Sequence, residues 1–91
     1  MVLLDYMRQK ILNYTVVFQK EKEGGYTVFV PILPGCVSYG KDLEEAKKMI
    51  KEAIELYLES LNAHHEEIPT EENSFYSQVN IDASKLNISY A

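Results

Sequence analysis

One thiol, a pair of histidines and a run of carboxylates are the side chains of this sequence best suited to chemistry. Cys36 follows the dipeptide Pro34-Gly35. A catalytic thiol needs a base and electropositive surroundings to hold it as thiolate, but both histidines lie far along the chain. Cys36 is therefore expected to pack as a small side chain, as free cysteines commonly do. His64 and His65, followed by Glu66 and Glu67, are metal-ligand types. Adjacent histidines point in different directions on a helix or a strand, and the i,i+4 spacing of a helical zinc site is missing. Solvated histidines at a helix C-terminus, where partial positive charge suits the dipole, are the simpler expectation.

Glu55, Glu59, Glu66, Glu67, Glu71 and Glu72 form the largest charge feature, and residues 52–84 contain no Lys or Arg. Such an anionic surface would attract a basic partner, raising association rate and specificity more than affinity. An ordinary solvated helix end and loop is an equally open reading. Metal-assisted nuclease chemistry would need carboxylates held on rigid elements around an ion, whereas these crowd onto one helix end and its following loop. The tyrosines alternate within predicted strands and have no basic groove beside them, which argues against a nucleic-acid stacking platform. No phosphate-binding glycine loop, dinucleotide fingerprint or Ser-His-Asp order is present. No catalytic residue, metal ligand or cofactor is expected.

The elements that would position these residues follow from periodicity. Tyr14, Val16 and Phe18 alternate with Thr15, Val17 and Gln19, a strand pattern. A charged tip, Lys20 to Gly25, leads into a second strand over 26–30, so the two form an antiparallel hairpin. Val17 and Phe29 leave neither face of it wholly polar; one face is expected to meet a helix and the other a second subunit. Pro31 stops the second strand because it has no N–H for a ladder. Pro34-Gly35 suits the centre of a type II turn, and a short third strand runs from Cys36 to Tyr39 before Gly40. Asp42 and Glu45 form a capping-box-like pair. Leu43, Ala46, Met49, Ile50, Ala53, Ile54, Tyr57, Leu58 and Leu61 then make one apolar stripe at helical spacing, with Asn62 as the expected end. Pro69 interrupts the polar segment beyond. Ser77 to Ile81 alternates again as a fourth strand, and Leu86 to Ile88 could extend the sheet. Leu3, Leu4, Met7 and Ile11 would share a helical face, but nothing else settles residues 1–13.

The resulting expectation is an α+β fold of order β-β-β-α-β: an antiparallel sheet of three to four strands with one long helix on a face. The 91 residues leave room for one domain only, residues 1–91, with a thin core that self-association would help. Fourteen acidic against nine basic residues give a net charge of −5, which excludes a surface built for unspecific nucleic-acid binding. A lone cysteine and the absence of a long apolar run point to the cytoplasm and away from a membrane.

Taken in order, Tyr14 to Phe18, Gly25 to Pro31, Leu33 to Gly40, Glu44-Glu45-Ala46 and Glu52-Ala53-Ile54 resemble the HicB antitoxin family, over about residues 14–61. Pro34, Gly35, Cys36, Gly40, Asp42, Glu45 and Ala46 carry the signature. Two positions depart from it: Ile32 stands where the family often has aspartate, and Asp42 where threonine commonly caps the helix. The resemblance implies a partial ribonuclease-H-like fold without nuclease activity, and a non-catalytic role in neutralising HicA, a small basic mRNA-cleaving toxin. It also implies dimers or larger homo-oligomers. Many members carry a further C-terminal DNA-binding domain; with about ten residues after Ile81, direct DNA binding by this chain alone is not expected. The competing readings are an orphan homo-oligomeric regulatory or binding module with no toxin partner and, from the implied fold alone, a residual nuclease.

Overall fold

The computed structural model describes residues 10–89, so Leu3, Leu4 and Met7 of the undecided N-terminal set lie outside the described residues. Three strands, β1 (Val17–Lys20), β2 (Tyr26–Phe29) and β3 (Val37–Gly40), form an antiparallel sheet in the order β1-β2-β3. One helix, α1 (Leu43–Ala63), packs on one face of it. This is the expected α+β arrangement with three strands. A short 3-10 turn, Ala83–Lys85, lies near the C-terminal end.

The hairpin and both turns close as their residue types dictate. The Glu21 N–H donates to the Gly25 carbonyl at 3.0 Å, which closes the charged tip. The Cys36 N–H donates to the Leu33 carbonyl at 2.9 Å, and Gly35 has φ +83°. That bond and that dihedral make Leu33-Pro34-Gly35-Cys36 a type II turn, whose third position demands glycine. Strand β1 starts three residues later than the alternation suggests. In register, Val17 faces Phe29, so Thr15 would face Pro31, which has no N–H to offer. The ladder therefore stops at Val17, although Tyr14, Val16 and Phe18 still pack together on the core side.

Alternation also sorts the two faces. Val28 and Val30 of the central run are buried, as are Leu33, Cys36, Ala46 and Ile50, and these six residues form the core. Val17, Phe29 and Val37, in register across the three strands, lie on the opposite face. Helix α1 starts where expected: the Asp42 carboxylate accepts from the Glu45 N–H at 2.8 Å. The Glu45 carboxylate reaches back one residue further than in a standard capping box, accepting from the Lys41 N–H at 2.7 Å. At its other end Tyr57 donates to the Pro34 carbonyl at 2.8 Å, tying the helix to the type II turn.

The fourth strand does not form. Ser77–Ile81 carries no strand assignment and is exposed throughout, and Leu86–Ile88 adds no strand either. An alternating pattern orders side chains on two faces, but a strand exists only when its backbone finds an edge to pair with.

Gly40 ends β3 against the first turn of α1, where an added Cβ would overlap the backbone of Glu45 and Ala46. Ala46 itself is fully buried. Gly40→Ala is expected to lower unfolding stability by about 2–3 kcal/mol, the usual cost of overpacking a site that cannot relax. Urea denaturation followed by far-UV circular dichroism measures it.

Candidate functional site

Cys36 is 4% exposed and sits in the core cluster, which contains no histidine. Burial pushes its thiol pKa up, away from the thiolate a nucleophile requires. The histidines finish the helix. The His65 N–H donates to the Asn62 carbonyl at 3.1 Å and the Glu66 N–H to the Leu61 carbonyl at 2.9 Å. With His65 at φ +57°, these two bonds make a Schellman motif in which histidine takes the place usually given to glycine. His64 adds a ring Nδ1 bond to the Ser60 carbonyl at 2.8 Å. The helix thus runs through Ala63, one residue past the expected end at Asn62. Among the described residues, no three His, Cys, Asp or Glu side chains gather as a metal site would require.

The six candidate carboxylates separate into two groups. Glu55, Glu59, Glu66, Glu67 and Glu72 are exposed, the first two on the solvent side of α1 and the next two just beyond its end. The basic residues of the helix, Lys47, Lys48 and Lys51, precede them, and the last turn contains no basic residue. Negative charge at a helix C-terminus opposes the macrodipole. No ion pair within 4.0 Å forms to these five carboxylates among the described residues. The acidic end is therefore held at a small cost to the helix.

Glu71 has a different position. Its carboxylate accepts from the Thr15 N–H at 2.6 Å and from the Thr15 hydroxyl at 2.7 Å. Thr15 lies beyond the end of the β1–β2 ladder, and the carboxylate gives its N–H an acceptor there. Beside it, the Tyr14 hydroxyl donates to the Pro69 carbonyl at 2.5 Å. Burial first, and the Glu71 charge second, raise the Tyr14 phenol above its ordinary pKa of 10.0. These contacts join residues more than fifty positions apart and were not visible in residue patterns. The one clue was Pro31, which stops the ladder and leaves Thr15 outside it.

A second feature is apolar. Val37 and Tyr39 of β3 are each 54% exposed, and Leu56 of α1 is 68% exposed. Tyr39 donates to the Gly24 carbonyl at 2.9 Å, which holds its ring across the outer sheet face. Val17, Phe29 and Val37 line the face away from the helix, where Val17 and Phe29 are half-buried and Val37 is exposed. The structure thus presents two surface features of unlike chemistry: an acidic helix end, and an apolar sheet face and edge.

Residues 14–88 match the model of a family described as the HicB-like antitoxin of bacterial toxin-antitoxin systems. A UPF0150 protein of Synechocystis is 53% identical over 64 residues, which cover 70% of this chain and 81% of that one. Another, of Thermoplasma acidophilum, is 52% identical over 58 residues, or 64% and 84% of the two chains. A third, of Helicobacter pylori, is 49% identical over 75 residues, 82% and 93% of the two.

Two outcomes check these local assignments. His65→Gly is expected to raise unfolding stability by about 1 kcal/mol, since a left-handed backbone costs roughly that in any residue with a Cβ; thermal melting reads the gain. The raised Tyr14 pKa favours the protonated phenol in the folded state. Its contribution to stability is full below the unfolded value of 10.0 and is lost as pH rises through the higher folded value. Denaturant midpoints taken across that alkaline range should fall, and Tyr14→Phe should flatten the fall while costing about 1 kcal/mol at neutral pH.

Proposed function

This chain belongs to the family of HicB-like antitoxins, and from that membership we propose that it neutralises a small basic, HicA-like, RNA-cleaving toxin by binding it. The acidic end of α1 carries this reading. Glu55, Glu59, Glu66, Glu67 and Glu72 are exposed, and nothing basic in the last helical turn offsets them. Surface charge kept against the helix dipole makes physical sense when a partner of opposite sign neutralises it. Glu71 serves the same surface indirectly, by fixing the segment that carries Glu72 against Thr15.

The chain acts without chemistry of its own. The buried, protonated Cys36 and the capping histidines support that reading. A net charge of −5 opposes direct contact with DNA phosphates. A lone buried thiol suits the reducing cytoplasm, and no helix among the described residues is long and apolar enough to cross a membrane.

Co-expression with a small basic HicA-like toxin, sought in the neighbouring reading frame, tests the reading. The wild-type chain should restore growth and co-purify with that protein. Glu55→Lys, Glu59→Lys, Glu66→Lys and Glu67→Lys combined should slow association by about tenfold or more at low salt, with a smaller effect at high salt. Absence of a bound basic partner removes the antitoxin reading; an unchanged association rate removes the acidic surface from it.

A further inference from the structure

The segment beyond Glu72 is chemically a strand without a sheet. Phe75 is 92% exposed, Val79 81% and Ile81 68%, and with Ser77 these occupy one side of an alternating run. Among the described residues, no backbone–backbone hydrogen bond is made from Phe75 to Ile81. Backbone donors and acceptors in such an apolar stretch seek an edge.

The same chain has an edge to offer, β3, beside which no further strand pairs among the described residues. Opposed residues in an antiparallel pair alternate between bonded and non-bonded positions. The Val30 N–H donates to the Cys36 carbonyl, so in the register Val28↔Ser38 is bonded and Phe29↔Val37 is not. The N–H and C=O groups of Val37 and Tyr39 therefore point away from β2, out of the sheet. No charged side chain lies within β3 itself. On the helix side, the Ser38 hydroxyl meets the Met49 carbonyl at 3.4 Å, and Met49 and Leu56, two turns apart on one flank of α1, are both exposed. A strand added beside β3 would meet apolar side chains on both of its faces.

We infer that residues 75–81 of one copy add as a fourth strand to the β3 edge of a second copy, reciprocally, about a two-fold axis. The tie of Tyr14 and Thr15 to Pro69 and Glu71 starts the arm beside β1, the strand at the opposite side of the sheet from β3. The arm leaves its own body there, and exchange satisfies both unused surfaces at once. At roughly 100 Å² for each large side chain, four from the arm (Phe75, Tyr76, Val79 and Ile81) and four at the edge bury about 800 Å² per contact. The reciprocal pair buries about 1,600 Å², the size of a stable interface. The pattern that predicts a fourth strand is thereby fulfilled between chains. Toxin binding is not required for this assembly.

Light scattering on the full chain, without any partner, tests it. Wild type should run at twice the chain mass. Val79→Asp with Ile81→Asp should weaken self-association about a hundredfold or more, two buried aliphatic side chains being lost at about tenfold each. Val37→Lys should do the same from the receiving side, while Gln19→Lys on β1 should leave the dimer intact. Unchanged helical circular dichroism separates dissociation from unfolding; should Val37→Lys unfold the chain, Tyr39→Lys takes its place. A monomeric wild type, or a dimer that survives either substitution, overturns the inference. So does an arm variant that stays dimeric but no longer binds the basic partner, which would assign the arm to that partner.

Discussion

The backbone of Gly40 lies directly against the first turn of α1, and the position of the helix on the sheet depends on that approach. Only two residues, Lys41 and Asp42, separate β3 from α1. With no side chain at Gly40, strand and helix meet closely enough for Ala46 and Ile50 to reach Val28, Val30 and Leu33. Asp42 and Glu45 then hold the turn by bonding the free N–H groups at the helix start. From this origin a rigid rod of 21 residues fixes everything further along. Tyr57 meets the Pro34 turn, and the acidic end is carried to the side of the sheet where Tyr14 and Thr15 wait.

A core of six buried residues leaves little room for error, and the molecule compensates with polar ties at its margins. Where the β1–β2 ladder stops short of Thr15, the Glu71 carboxylate accepts from its N–H and hydroxyl. Where a helix end exposes carbonyls, His64 and the left-handed His65 satisfy them. Both devices use residues that in another context would suggest chemistry. A carboxylate bonded to a backbone N–H and a histidine bonded to a carbonyl are serving as structure, which is why the reactive side-chain types of this chain do not converge on one point.

The proposed function rests on surfaces. Beyond its acidic first turn, α1 carries Lys47, Lys48 and Lys51 and then only the acids Glu52, Glu55 and Glu59, so its far end presents a negative field in place of a pocket. Family membership supplies the class of partner; the exposed glutamates supply the reason that a basic one would be favoured. The outer face and β3 edge of the sheet are of a different kind, apolar and short-ranged.

Periodicity in the residues was enough to establish the hairpin, the third strand, the type II turn and the long helix, because each depends on local geometry: alternation, a proline–glycine pair, a cap and an apolar stripe. The capping role of His64 and the burial of Cys36 were equally accessible, since neither has a chemical partner nearby in the chain. The late start of β1, the commitment of Glu71 to Thr15 and the absence of a fourth strand were not. Each depends on which groups distant in the chain are brought opposite one another, and hydrogen-bond pairing between such groups is settled only when the sheet register and the helix direction are both in place. The residues determine which segments are able to pair; the tertiary structure decides which of them have an edge within reach.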